Sequence, residues 1–400
     1  LADRVRERTM HEHVDVADRL RGVAAIDQVG VEQIESVGGE LLDLDMTERW
    51  NDVALEVYYD DKHPYNVDRM IESAKKSLDY YTREFSPYQF RQLRILEFPS
   101  YATFAQAFAG TVPYSESIGF VADLRDEDEI DYVFYVTAHE VAHQWWAHQV
   151  VGANVQGATM LSESLAQYSA LMVMEHEYGP GKMRKFLKHE LDSYLTSRAT
   201  ERVQELPLAL NENQQYIHYN KGSVVFYALK DAIGEEAFNR ILAGFLDKWA
   251  FKGPPYPTTR DFLADLYAGT DEKYHPLIRD MFERIVFFDN RAVEATATKR
   301  PDGKYALTLK VHSAKLVAQG KGKEAEEPMD EIVDIGVFSR PPGGEESDEK
   351  VLYLQKHHIT GTDNTIELVL DEEPYEAGID PYNKLVDRSS GDNRKRVTVQ

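Results

Sequence analysis

Near residue 290 the apolar residues of this chain change their spacing, and no single layer of structure accommodates both patterns. Between about 126 and 285 they recur at three- and four-residue intervals, the period of an amphipathic helix. The stretches 127–150, 159–178, 181–200, 217–233, 235–250, 258–268 and 274–285 read as helices. Breaks fall at Gly152 and Gly157, at Gly179-Pro180, and at Gly253-Pro254-Pro255. Beyond residue 290 the segments 303–312, 331–338, 350–355 and 365–370 alternate or form short β-type runs, with polar Gly- and Pro-bearing loops between them. The expected architecture is an α+β chain: a mostly helical domain followed by a small antiparallel β-sandwich.

The region before residue 126 is mixed. Residues 2–23 read as a polar helix with a sparse apolar stripe, and 1–50 as an N-terminal helical segment or domain remnant. Strands are expected at 53–59, 92–98 and 118–123, and a helix at 67–85. The resulting domains are 1–50, 51–289 and 290–400. The chain opens on Leu1, which suggests a fragment or processed product.

Composition removes several classes of function. Acidic residues outnumber basic ones 69 to 45, for a net charge of -24. Such a chain lacks the basic face that phosphate backbones or anionic lipids require. With no cysteine there are no disulfides, thiolate metal sites or cysteine nucleophiles. No apolar run approaches a membrane span.

The chemistry is concentrated in His139-Glu140-Val141-Ala142-His143. Residues i and i+4 share one helix face, so both imidazoles can reach one metal ion, with Glu140 beside it as a general base. Catalytic zinc usually takes three protein ligands and keeps a fourth position for water. The third ligand is expected from a neighbouring helix, and Glu163 lies near the start of the 159–178 helix. His148 and His176 read as exposed or capped helix residues, His357-His358 as lacking a partner of ligand spacing, and Trp145 and Trp146 as packing residues. Lys221 reads as a partner for a structural carboxylate.

The run His139-Glu140-Val141-Ala142-His143-Gln144-Trp145-Trp146, the downstream Glu163 and Tyr219-Asn220-Lys221-Gly222 resemble the aminopeptidase N family of gluzincin metallopeptidases. The resemblance implies a thermolysin-like catalytic domain with one zinc ion held by His139, His143 and Glu163. It also implies an aminopeptidase that hydrolyses the N-terminal bond of peptides with zinc-activated water, with Glu140 as the base. Tyr219 would then be the oxyanion donor, with Tyr216 as its rival, and Glu116 in Tyr114-Ser115-Glu116-Ser117-Ile118-Gly119 would bind the free amine. Between His143 and Glu163 lie 19 residues, one more than the family's usual number, and the loop 147–158 is expected to absorb the extra one.

The motif variants, including Ile379-Asp380-Pro381-Tyr382-Asn383, are most similar to bacterial members fused to a membrane permease. That implies a soluble domain tethered to a membrane by a segment outside these residues. The implied partner is a peptide with a free N-terminus, with no nucleic acid. Two alternatives stay open at this point. One is another zinc hydrolase, an epoxide hydrolase or endopeptidase; the other is a catalytically silent binding domain of a transporter.

Overall fold

The computed structural model describes residues 43–126, 129–341 and 349–400, so the helix expected at 2–23 lies outside the described residues. The first element is a four-stranded sheet of order β1-β2-β3-β4. Its strands are β1 (Asp43–Trp50), β2 (Val53–Tyr59), β3 (Gln92–Phe98) and β4 (Thr111–Ser115). Residues 43–50 therefore belong to the sheet, whereas the sequence grouped them with a helical N-terminal segment. β3 pairs in parallel with both β2 and β4. Val53, Leu55, Val57, Leu93 and Ile95 are buried at alternating positions, the period-2 signature of a strand with one core face.

Helix α1 (Val67–Glu84) buries Met70, Ile71, Ala74, Leu78 and Tyr81, the residues its spacing singles out. The strand expected at 118–123 is instead a turn. The Asn66 side-chain amide donates to the carbonyls of Gly119 (2.7 Å) and Ala122 (2.9 Å) and folds this segment onto the start of α1. A Cβ at Gly119 would lie 2.9 Å from the buried Tyr114 ring and 2.8 Å from Met70 Cε, so a larger residue would have to displace that packing.

Helix α2 (Tyr132–Ala142) starts where the Asp131 carboxylate accepts the Phe134 N–H at 2.8 Å, an N-cap. Ser73 and Tyr81 of α1 donate to the Phe134 and Ala138 carbonyls of α2, at 2.6 and 2.9 Å. The helix ends earlier than the periodicity predicts. Trp145 and Trp146 turn into the core, where their indole N–H groups donate to the Ser86 carbonyl (2.9 Å) and Ser169 Oγ (2.8 Å). A tryptophan satisfied and buried in this way costs about 3–5 kcal/mol to truncate to alanine.

Helix α3 (Leu165–Tyr178) continues a π-helical turn at Met160–Ser164. Gly179 at φ 80° and Pro180 then separate it from α4 (Pro180–Thr200). A second π-helical turn, Tyr216–Lys221, leads into α5 (Gly222–Ile233). Helices α6 (Glu235–Trp249), α7 (Thr259–Gly269) and α8 (His275–Phe282) complete the helical part. Among the described residues, no helix is long and apolar enough to cross a membrane.

The β domain has two sheets. One runs β10-β6-β5-β13 with β7 beside β6; the other runs β12-β11-β8-β9. Its long strands are β5 (Val286–Lys299), β6 (Tyr305–Gly320), β8 (Asp330–Phe338), β9 (Val351–Thr360) and β10 (Asp363–Leu370). The shorter ones are β7 (Lys323–Glu327), β11 (Glu376–Ile379), β12 (Arg394–Arg396) and β13 (Thr398–Val399). Leu309 and Val311 of one sheet and Ile335 and Val337 of the other share one core. The sequence dates the change of period to residue 290, but β5 begins at Val286. Its alternation explains the blurred boundary: Val286 and Phe288 join the sandwich core, while Phe287 packs into the helical core beside Tyr194. The segment 379–383 forms a turn, in which the Asp380 carboxylate accepts the backbone N–H groups of Lys384 and Leu385. Lys384 then bridges Asp231 of α5 and Asp334 of β8, at 2.6 Å each.

Candidate active site

Helix α2 delivers His139 and His143 to one spot, as i, i+4 spacing requires, with their Nε2 atoms 3.0 Å apart. The π-helical turn before α3 brings Glu163 to them. Its Oε2 lies 3.4 Å from His139 Nε2 and 3.2 Å from His143 Nε2. Glu163 lies inside this irregular turn rather than on a regular α-helix. A π turn holds more residues than an α turn, and such turns are frequent at functional sites.

The three side chains carry one ligand atom each, all within 4.8 Å of one another. Both imidazoles are buried, yet His139 Nδ1 and Glu163 Oε2 have no hydrogen-bond partner. A buried carboxylate oxygen without a partner costs free energy, and a cation held between Glu163 Oε2 and the two Nε2 atoms would relieve that cost; His139 Nδ1, on the far side of its ring, is not part of this group. The three groups are also strongly coupled electrostatically. Burial alone would depress the His143 imidazole, but the Glu163 and Glu140 carboxylates raise it to about 9. Burial would raise Glu163, but the two imidazoles hold its carboxyl far below the usual range. The donor set of two imidazoles and a carboxylate fits a zinc ion.

Glu140 is buried next to this triad. Burial pushes its carboxyl up, while His139 and His143 pull it down, and the Ala107 backbone N–H binds it. Ala107 lies in a segment that folds back antiparallel on β4, through Ala105 opposite Tyr114 and Phe108 opposite Thr111. Tyr219 stands in the second π-helical turn, its ring 5.8 Å from that of His139. Burial raises its hydroxyl, and the Glu163 carboxylate beside it adds to the effect. Tyr216, the rival, instead stacks on Tyr194 at 5.9 Å and accepts from the Gln214 side chain at 3.2 Å.

Glu116 immediately follows β4 and belongs to a different cluster. Its Oε1 accepts from the Ser100 backbone N–H (2.9 Å) and Oγ (2.5 Å), and its Oε2 lies 3.8 Å from His63 Nδ1. Glu97 of β3 completes this group, 2.5 Å from His63 Nδ1. Sequence reading missed both His63 and Glu97. No spacing rule connects them: His63 follows β2, which pairs with the β3 strand that carries Glu97, and the pairing of β3 with β4 then brings in Glu116.

The other candidates have structural partners. His176 faces Glu235 at 2.9 Å, His148 lies near the Ala107 carbonyl, and His357 meets the Tyr353 hydroxyl at 2.7 Å. Lys221 is fully buried and donates to Glu205 at 2.9 Å, the structural carboxylate its sequence setting suggests. Glu190 of α4 was also missed. Burial pushes its carboxyl up to about 7, against the side chains of Asn220 and Ser223, which hydrogen-bond its charged form.

An α+β chain with two helix-borne histidines, a third ligand on the next helix and a buried Glu beside them has the build of a metallopeptidase. Residues 69–282, more than half of the 400, match the Peptidase family M1 domain, and the chain belongs to that family. Over 209 residues it is 29% identical to "Probable aminopeptidase 1" of Sulfurisphaera tokodaii, covering 50% of this chain and 26% of that protein. Over 190 residues it is 27% identical to human "Endoplasmic reticulum aminopeptidase 2", covering 46% of this chain and 20% of that protein. The chain thus spans about a quarter or less of these curated relatives. Its fold is similar to that of Legionella pneumophila aminopeptidase A, solved in complex with aspartic acid. The TM-score is 0.51 at 17% identity, covering 87% of this chain and 36% of that one.

Proposed function

We propose that this chain is the peptidase part of a zinc-dependent aminopeptidase, with a thermolysin-like catalytic domain over about 51–289 and a β-sandwich over 290–400. The observation that carries the reading is the convergence of His139, His143 and Glu163 on one point, with Glu140 buried beside it. These three side chains would hold one zinc ion. When bound, zinc supplies a Lewis acid that polarises a carbonyl and makes water acidic near neutral pH.

The chain's own groups do the rest. Glu140 accepts a proton from the attacking water and delivers it to the leaving amine. Its burial favours this work, because a carboxyl displaced upward both takes and returns a proton more readily near neutral pH. The Tyr219 hydroxyl donates to the oxygen on which negative charge develops. Glu116 pairs with the α-ammonium of a peptide and so sets the first peptide bond as the one cleaved.

The test is metal analysis combined with a panel of aminoacyl reporter substrates. One zinc per chain and cleavage of free-amine reporters are expected. Hydrolysis of an epoxide, or of internal bonds alone, would replace this reading. The variant motifs around Glu116 and Glu163 and at 379–383 support a further part of the proposal: the chain is the soluble portion of a permease-tethered protein. Fractionation of the full-length protein would place it with membranes.

A further inference from the structure

The π-helical turn Tyr216–Lys221 is tied down on both sides of Tyr219, while the Tyr219 side chain itself meets Glu163 and the His139 and His218 rings. The His218 carbonyl accepts from Ser164 Oγ at 2.6 Å, and its ring meets Asn211 Nδ2 at 2.8 Å. Lys221 Nζ donates to Glu205, which also accepts from Tyr194 (2.7 Å) and Arg198 (2.5 Å). Asn220 Nδ2 donates to Glu190 Oε2 at 3.0 Å. The turn also packs closely against the one that bears Glu163. A Cβ at Gly222 would lie 2.6 Å from Ser164 Oγ, so the approach requires glycine.

Glu190 holds the tie nearest to Tyr219 that comes from a buried carboxylate, and it is 2% exposed. It is also one end of a polar chain that leads back to the metal helix. Ser223 hydrogen-bonds Glu190, Gln167 Nε2 donates to Ser223 Oγ at 3.0 Å, and the Tyr135 hydroxyl donates to Gln167. Tyr135 lies one helical turn from His139, with the two rings 6.3 Å apart. The chain Tyr135–Gln167–Ser223–Glu190–Asn220 therefore connects α2, α3, α5, α4 and the π turn. Buried polar networks of this kind hold a unique geometry when every member is satisfied.

We propose that Glu190 is a positioning residue for Tyr219: by gripping Asn220 and Ser223 it fixes the π turn so that the Tyr219 hydroxyl faces the metal-ligand cluster. The carboxylate accepts from Asn220 at 3.0 Å, and the Ser223 hydroxyl beside it favours its charged form. A glutamine in its place keeps one acceptor oxygen for Asn220 but carries no charge and can meet Ser223 only with its NH2 as donor, so the Ser223 contact is reversed. Displacement of a reacting group by about 1 Å can cost about a hundredfold in rate.

The inference rests on Tyr219 as the oxyanion donor, and the experiment separates the two. Zinc content, kcat and KM are measured on an aminoacyl reporter for wild type, Glu190→Gln, Tyr219→Phe and the double variant. Hydrogen exchange of residues 216–221 is measured on the same proteins. Glu190→Gln is expected to keep its zinc, lose about tenfold or more in kcat with KM nearly unchanged, and speed exchange in 216–221 by about tenfold. Added to Tyr219→Phe, it should cost less than about twofold more, because the group it positions is gone. An equal loss in both backgrounds, or unchanged exchange at 216–221, overturns the positioning role while leaving Tyr219 in place. A Tyr219→Phe enzyme of wild-type kcat removes the oxyanion role and with it that of Glu190. Should Glu190→Gln fail to fold, Asn220→Ala breaks the same contact from its half-buried side and must show the same pattern.

Discussion

His139, His143 and Glu163 converge from two helices, whereas His63, Glu97 and Glu116 converge from a loop and two strand ends. Both groups bring ligand atoms within 4.8 Å of one another, so proximity does not tell them apart. What their atoms are bonded to does. In the first group the Glu163 oxygen that faces both imidazoles is buried without a hydrogen-bond partner. In the second, Glu97 accepts from the Asp60 backbone N–H (2.6 Å) and meets His63, and Glu116 is held by Ser100. The first group is the better candidate for the proposed zinc site; in the second each carboxylate already has hydrogen-bond donors, which hold Glu116 beside Ser100. Three ligand atoms make a metal site only where the protein leaves them unsatisfied.

The largest expected effect separates the clusters directly. His143→Ala should abolish both zinc binding and turnover, measured by elemental analysis and reporter cleavage. Retained zinc with full activity would move the metal elsewhere, with the second cluster as the first place to look. Glu140→Gln should keep its zinc and lose about 10²–10⁴-fold in kcat, since an amide matches the shape but accepts no proton. A near-wild-type rate would remove Glu140 from the chemistry. Tyr219→Phe should lose about 10²–10³-fold, on kcat rather than KM. A loss confined to KM would point to another donor.

Effects in the second cluster should be smaller and of a different kind. Glu116→Ala should keep zinc, slow cleavage of free-amine peptides and lose the preference for them over N-acetylated ones. Truncating a charge-pair partner costs about 2–5 kcal/mol, and the low end applies here because the Glu116 side chain is 24% exposed. Equal cleavage of free and acetylated peptides by wild type would make the enzyme an endopeptidase. His63→Ala should have the smallest effect, a rise in KM of severalfold with zinc content unchanged. Lost zinc in that variant would turn the second cluster into a metal site.

Helix α1, β2, β3 and most of the helical run were legible because each is set by contacts between residues a few positions apart. The misreadings fall where a distant group overrides local pattern. Residues 118–123 have strand composition, but Asn66, more than fifty positions away, folds them into a turn. Helix α2 stops short because Trp145 finds its acceptor at Ser86. The domain boundary blurs at Phe287, whose side chain joins one core while its neighbours join the other.

Within the site the same division holds. The histidine pair and its adjacent Glu140 are a local pattern, because helix geometry alone puts residues i and i+4 on one face. The helix that carries the histidine pair, the helical-to-β order and the family likeness were therefore legible from the sequence alone. Only the tertiary structure decided that Tyr219 rather than Tyr216 faces the cluster, because the choice depends on how the π turn is pinned. Its pins come from Glu190, 30 residues before Asn220, and from Ser164, 54 residues before His218. It likewise decided that Glu116 is held by a serine and flanked by a histidine, since His63 and Glu97 are 34 positions apart. Contacts over such separations leave no periodic trace in a sequence, because they are made by the packing of whole elements rather than by the geometry of one.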